Sequence, residues 1–329
     1  GKFAAAIIGR HRKRYRMELQ IGQLEVLLLV AALVAILAAR LRVPYVVGLV
    51  AAGIALSFLH LEPQLDLTKE LVFTALLPPL VFEAALYLRW QQLRRDLPVV
   101  LLLATAGVAI SALVTALGMY FVVQWAWPSA LIFGVLIAAT DPVSVIATFK
   151  EQHVHGRLRF LVEAESLLND GTAVVFFTLI LGMVGGGGLS AGAAALQFAV
   201  VVGVGLLVGV AAGLLASMLT KRIDDPMVEI TLTTLAAYGS FTGAEHLHGS
   251  GVIAAVAAGT VCGHGARAWM SETSHRAVTT FWEYVAFAFN SLVFLLIGFQ
   301  VSVPDLLASA PVIVVAYVAM TAARAVLIA

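Results

Sequence analysis

Residues 163–172, EAESLLNDGT, interrupt an otherwise apolar run that extends over residues 158–183. An apolar run of about 20 residues can cross a bilayer as a helix. At 100° per residue, Ser166 and Asp170 share a face of that helix, whereas Glu165 points about 140° away from Asp170 and needs its own partner. A charge in the middle of a bilayer costs several kcal/mol, so ionisable groups there are a functional hypothesis by default. The stretch therefore predicts a polar site inside a membrane span.

The composition of the whole chain also indicates a membrane protein. Hydrophobic residues make up 61% of the 329 residues and charged residues only 12%, whereas soluble domains carry about 25% charged residues. These values argue against a soluble enzyme and against a disordered chain. A formal net charge of +1 argues against a nucleic-acid-binding protein, because phosphate binding needs a basic excess. The single cysteine, Cys262, excludes cysteine-based metal sites and a disulfide framework. The predicted fold class is an all-α polytopic membrane protein.

Eleven apolar stretches are long enough, or nearly so, to cross a bilayer as helices. Gly, Pro or a charged residue interrupts several of them, and the connecting loops are short. The predicted spans are residues 20–39, 43–59, 71–88, 98–123, 129–149, 158–183, 194–220, 227–245, 249–264, 277–300 and 309–329.

The basic residues of the loops predict the orientation. Loops on one side hold twelve Lys and Arg residues, and loops on the other side hold only Lys69. Because basic loops stay in the cytoplasm, the first side is predicted to be the cytoplasmic side of a plasma (inner) membrane. Residues 1–16 are basic on the opposite side, and we expect them to be an extension ahead of a native start at Met17, with a native basic arm as the alternative. The twelve residues are Arg40, Arg42, Arg89, Arg94, Arg95, Lys150, Arg157, Arg159, Lys221, Arg222, Arg267 and Arg276.

A second polar stretch, Thr140-Asp141-Pro142, interrupts the fifth span. Pro142 donates no backbone hydrogen bond, its ring clashes with the preceding turn, and it moves Asp141 away from helical dihedrals. The fifth helix is therefore predicted to unwind here, with a simple proline kink as the alternative. Unwound backbone is tolerated in a membrane where it faces protein or water. Its free carbonyl groups can then bind a cation beside the Asp141 carboxylate and the Thr140 hydroxyl.

The ionisable residues within the predicted spans are mostly acidic. Oxygen ligands of this kind suit Na⁺ or another alkali cation rather than an anion. Because desolvation favours the neutral form of a carboxyl group, one carboxylate in a partly dry cavity can bind either a proton or a cation near neutral pH. Away from the ends of the spans, the acidic residues are Glu25, Glu83, Asp141, Glu163, Glu165, Asp170, Glu229 and Glu283, and the one basic residue is Arg324.

Several of these motifs resemble those of a known family. Residues 165–170, ESLLND, are similar to the signature of sodium/proton antiporters of the NhaP/NHE type. Residues 140–142 resemble the unwound helix of that family, and residues 77–83, LPPLVFE, resemble its third-span motif. The stretches 250–252, 281–283 and 290–292 are also similar in order and spacing, so the resemblance covers about residues 17–329.

The resemblance implies an NhaA-like inverted-repeat fold, in which a core domain moves against a dimerising domain. The family has thirteen spans, of which this chain would supply about eleven, so we expect it to be part of a longer protein. The implied division is an extension at 1–16, dimer or scaffold parts at 17–96 and 184–300, the ion-binding core at 97–183, and the start of a second core repeat at 301–329.

The resemblance also implies roles for single residues. Asp170 would be the carboxylate that exchanges a proton for a cation. Asp141, Ser166 and Thr140 would complete the Na⁺ site, and Pro142 would mark the unwound turn.

Three further residues would support that site. Asn169 stands where electrogenic relatives carry a second Asp; because Asn binds no proton, exchange is predicted to be electroneutral. Glu165 would pair with Arg324 of the eleventh span, which gives the one deep basic residue a partner.

The leading functional hypothesis is a secondary antiporter, and not an enzyme, that exchanges Na⁺ or Li⁺ for H⁺. It needs no cofactor, and its expected partners are the two ions, the lipid bilayer and a second copy of the chain. A K⁺/H⁺ antiporter of the same fold is the nearest alternative. A cation channel or a proton-conducting subunit of a respiratory complex is less favoured, because such subunits use deep lysines or histidines that this sequence lacks. Gly205, Gly209 and Gly213 predict close helix packing, either in a dimer or within one chain.

Overall fold

The computed structural model describes residues 25–41, 43–58, 68, 71–139, 156–184 and 191–328. The regular structure of these residues is helical, and they contain no β-strand. The helices are α1 (25–41), α2 (Tyr45–Phe58), α3 (Leu71–Leu86), α4 (Trp90–Phe121), α5 (Trp127–Ala138), α6 (Arg157–Val184), α7 (Ala191–Thr220), α8 (Pro226–His246), α9 (Gly251–Trp269), α10 (Glu272–Gln300), α11 (Val303–Ala308) and α12 (Ala310–Ile328).

Helix length and composition agree with a multi-pass membrane protein. Within the described residues, α4, α6, α7 and α10 are each long and apolar enough to cross a membrane. Shorter apolar helices occur in α2, α3, α5, α9 and α12. Large apolar side chains are exposed along α7, where Leu207 is 74% and Leu215 is 61% accessible. Such a surface fits contact with lipid rather than with water.

Three of the differences between the helices and the predicted spans have a bearing on the fold. Helix α4 begins at Trp90, well before the predicted start at 98, because its first turns carry charged residues that an apolar window excludes. Helix α5 ends at Ala138, and Ala139 is extended with φ −67° and ψ 135°. The predicted unwinding at residues 140–142 lies outside the described residues. The short helix α11 was not predicted from the sequence.

The described residues fall into two compact units. The smaller comprises the described residues up to Leu76 together with Ala286–Asp305. Its core is formed by α1, α2 and the second half of α10, where Leu49 and Leu295 are fully buried. A Cβ atom on Gly53 would lie 2.4 Å from the Leu295 carbonyl oxygen, so α2 and α10 pack at backbone distance.

The larger unit comprises Leu77–Val285 and the residues from Leu306 onward. Helix α9 is almost completely buried in it. A Cβ atom on Gly209 of α7 would lie 2.2 Å from the Ala254 oxygen of α9, and one on Gly263 of α9 would lie 2.1 Å from the Leu86 oxygen of α3. Small residues therefore let α7 and α3 pack closely on α9. The series Gly205, Gly209 and Gly213 makes contacts within the chain. The five-part domain division predicted from the sequence stays a prediction.

Candidate cation-binding site

Helix α6 carries the polar stretch that the sequence singles out, and it lies within the larger unit. Ser166 and Asn169 are buried in it, and Glu165 and Asp170 are half-buried. Leu167 of the same turns is buried in an apolar cluster with α3 and α9 residues. The polar face of α6 therefore points into the protein, where each polar group needs a partner.

Glu165 is held by two donors. Its Oε1 atom accepts a hydrogen bond from Asn169 Nδ2 at 3.0 Å, one turn further along α6. The same atom lies 3.3 Å from Arg324 Nη2 of α12, so the two side chains form an ion pair. The structure thus brings together two charges, 159 positions apart, that the family resemblance implies to be a pair. Asn169 makes the third member of this group through its amide.

The first turns of α6 carry two further ion pairs. The loop charges predict that this end of the helix lies near the cytoplasm. Arg157 places Nε and Nη2 at 2.9 Å from Asp96 Oδ1 of α4. Arg159 Nε lies 2.7 Å from Glu163 Oε1 within α6. Glu163 therefore has a local partner near the helix end. Asp96 was missed in the sequence because it falls outside the apolar window, although its side chain is only 7% exposed.

The two residues after Asp170 fix α6 against its neighbours. A Cβ atom on Gly171 would lie 2.8 Å from Ile253 Cγ1, so glycine permits the close approach of α9. The Thr172 hydroxyl donates to the Ala104 carbonyl oxygen of α4. Neither contact could be predicted from the sequence, because both depend on how distant helices meet.

The structure describes part of the predicted cation site. Ser166 and Asp170 stand one turn apart on the inward face of α6. Thr140, Asp141 and Pro142 lie outside the described residues. The assembly of all four predicted ligands therefore stays a prediction.

A separate carboxylate is buried at the start of α8. Glu229 is 1% exposed, and the Ser274 hydroxyl of α10 interacts with its carboxylate. The charges that act on it are the carboxylates of Asp224 and Asp225. Asp225 is itself the N-cap of α8, where its Oδ1 accepts from Met227 N and Val228 N.

Comparison with known proteins places the whole chain in one family. The profile of a family described as "Sodium/hydrogen exchanger, transmembrane" matches residues 27–329. The chain is 39% identical over 323 residues to the Na⁺/H⁺ antiporter ApNhaP of Aphanothece halophytica, a match that covers 98% of this chain and 62% of the relative. It is 38% identical over 312 residues to the low-affinity Na⁺/H⁺ antiporter NhaS1 of Synechocystis, covering 94% of this chain and 59% of the relative. The chain thus spans about three fifths of the length of these relatives.

A solved structure shares the fold. The sodium proton antiporter MjNhaP1 from Methanocaldococcus jannaschii matches with a TM-score of 0.78 at 22% sequence identity. The match covers 94% of this chain and 77% of that protein. The NhaA-like, all-α fold predicted from the sequence motifs is confirmed.

Proposed function

The chain belongs to the sodium/hydrogen exchanger family, and we propose that the whole protein is a secondary antiporter that exchanges Na⁺ or Li⁺ for H⁺ across a membrane. The observation that carries the proposal is the inward polar face of α6. There Asp170 is half-buried, one turn from the buried hydroxyl of Ser166, in a helix of 28 residues that is apolar beyond Thr172 except for Thr178. A carboxylate inside a membrane is costly, and such residues mark ion and proton paths.

The proposed chemistry is competition for one carboxyl group. When Asp170 is ionised, its oxygens attract a small cation, and hydroxyl and carbonyl oxygens complete the coordination. When a proton binds to Asp170, the negative charge that holds the cation is lost. Ser166 supplies one hydroxyl from the same face, and the resemblance assigns Asp141 and the Thr140 oxygen to the same site. Cation and proton therefore bind in turn, which couples their opposite movements.

We propose that the exchange is electroneutral. The residue beside Asp170 is Asn169, whose amide binds no proton and donates to Glu165. Glu165 lies beside Arg324, so its charge is balanced. One proton would then leave for each monovalent cation. In proteoliposomes of the full-length protein with the potential clamped by valinomycin and K⁺, the rate and final extent of Na⁺/H⁺ exchange should not change with potential. A potential-dependent end point would refute this stoichiometry.

Sodium is favoured over potassium as the main cation. The relatives named above are called Na⁺/H⁺ antiporters, and this supports the same cation here. The family is one of transporters, so an enzyme activity is not proposed. A channel is also not proposed, because the reciprocal use of one carboxyl group favours coupled exchange.

We also propose a membrane location, an orientation and an oligomeric state for the protein. It resides in the plasma (inner) membrane with the basic loops in the cytoplasm, in line with the twelve-to-one distribution of loop Lys and Arg residues. The ion-binding core moves between access to either side, and two copies form a homodimer through the scaffold part. Cross-linking of the purified full-length protein tests the dimer, and thiol labelling of single cysteines placed in the loops tests the sidedness.

The deciding experiment replaces the carboxylate. Asp170→Asn keeps the size of the side chain and removes its charge, so we expect exchange of Na⁺ and of Li⁺ to be abolished in proteoliposomes. The matched control is Glu272→Gln, because that carboxylate is 79% exposed and pairs with Arg276 one turn away. The control should exchange at the wild-type rate. Full activity of a normally expressed Asp170→Asn protein would refute the assignment.

A further inference from the structure

Helix α4 contains a π-helical segment, Leu103–Gly107, where it faces α6. A π-helical turn inserts an extra residue and breaks the ordinary helical hydrogen-bond register, and such turns are frequent at functional sites. Two carbonyl oxygens in and beside this segment accept hydrogen bonds from threonine hydroxyls. The Leu101 oxygen accepts from Thr105 of the same helix at 2.6 Å, and the Ala104 oxygen accepts from Thr172 of α6.

The contact from Thr172 to Ala104 is buried. Ala104 is fully buried and Thr172 is 6% exposed, so water does not readily replace the hydroxyl as a donor. The same hydroxyl lies 3.0 Å from the Asn169 carbonyl oxygen of its own helix. A threonine hydroxyl carries one proton, which is shared between α4 and the turn of α6 that contains Asp170.

A second contact fixes the same turn from another side. Gly171 is the residue between Asp170 and Thr172, and it lies against Ile253 of α9. A Cβ atom added to Gly171 would lie only 2.8 Å from Ile253 Cγ1. The turn after Asp170 is thus held by a hydrogen bond to α4 and by van der Waals contact with α9. Together they fix both the height of this turn along the helix axis and its rotation.

We propose that Thr172 is a positioning residue for ion exchange, because its hydroxyl docks α6 on the π-helical segment of α4 and so sets the place of the Asp170 carboxylate. This inference rests on the proposed function, because its first test measures Na⁺/H⁺ exchange. A binding site loses affinity when the side chains that hold the ligand move by about 0.5 Å. Loss of the docking bond should therefore weaken cation binding before it weakens the fold.

The test uses two changes at Thr172 in the full-length protein. Thr172→Val keeps the shape and removes the hydroxyl, so the Na⁺ concentration for half-maximal exchange should rise about tenfold, while the maximal rate falls less. Thr172→Ser keeps the hydroxyl and should stay within about twofold of wild type. The matched control is Thr178→Val. The Thr178 hydroxyl donates at 2.9 Å to the Val174 oxygen of its own helix, and its loss should leave half-saturation unchanged.

A second measurement does not need transport. Dicyclohexylcarbodiimide labels protonated carboxyl groups in apolar surroundings, and peptide mass spectrometry gives the rate of labelling at Asp170. We expect this rate to differ from wild type in Thr172→Val and not in Thr178→Val. Wild-type protein that exchanges no cation would refute the proposed function, and the labelling rates would still decide the role of Thr172.

Two results would overturn the positioning role. One is a Thr172→Val protein with wild-type half-saturation and labelling rate. The other is an equal loss of maximal rate in Thr172→Val and Thr172→Ser at unchanged half-saturation, which is the pattern of a general packing defect. Size-exclusion profiles monitor folding, and Thr172→Ala replaces Thr172→Val if the latter aggregates.

Discussion

The ion pair between Glu165 and Arg324 gives the sharpest test of the tertiary structure. Arg324→Leu removes the cation and leaves Glu165 with the Asn169 amide, whereas Glu165→Gln removes the carboxylate that lies beside Arg324. The double change leaves neither charge. These three proteins and the wild type form a double-mutant cycle, which isolates the interaction between the two side chains.

The geometry of the pair sets the size of the effect. At 3.3 Å, the Nη2–Oε1 distance, the Coulomb attraction is about 5 kcal/mol at an effective dielectric constant of about 20. Exposure reduces the net contribution: the Glu165 side chain is 12% exposed and that of Arg324 is 35% exposed. Removing one partner of a buried pair costs about 3–5 kcal/mol. Because this pair is only partly buried, we expect Arg324→Leu to lower the free energy of unfolding by about 3 kcal/mol. Glu165→Gln should cost less, because glutamine still accepts a hydrogen bond through its amide oxygen.

The assay is thermal unfolding of the full-length protein in detergent. A loss of about 3 kcal/mol should lower Tm by roughly 5–10 °C for Arg324→Leu. The double replacement should regain more than half of the summed losses, because no isolated charge remains. Asp170→Asn is the internal comparison, since it should abolish exchange with little change in Tm. Strictly additive losses from the two single changes would show that the two side chains do not interact, and Glu165 would then need another partner.

Two further predictions concern the larger unit. Gly209→Ala should lower the free energy of unfolding by about 3 kcal/mol, because the added Cβ atom would lie 2.2 Å from the Ala254 backbone oxygen. The control is Gly239→Ala, because a Cβ atom at Gly239 meets nothing within 4 Å. This control should leave Tm unchanged or raise it slightly. Glu229→Gln should raise Tm, because the Glu229 side chain is 1% exposed and burial disfavours an ionised carboxylate; a lower Tm would mean that a neighbouring group balances this carboxylate.

The sequence by itself determined the fold class and the location of the polar site. Apolar runs of span length and the low charge content require helices, because a helix satisfies its backbone hydrogen bonds without water. The 3.6-residue period places Ser166 and Asp170 on one face of α6, and the structure agrees that this face turns inward. The pairing of Glu165 with Arg324 also followed from the sequence, through the family motif and the cost of isolated charges.

The tertiary structure decided the contacts that periodicity cannot encode. Thr172 and Ala104 are 68 positions apart, and the acceptor belongs to a π-helical segment with no distinctive composition. The glycine series of α7 fitted a dimer or a single chain equally, and only the packing of α7 on α9 shows its contacts within the chain. Local patterns set which face of a helix is buried, whereas the helix that covers this face depends on the shape and close packing of residues far apart in the chain.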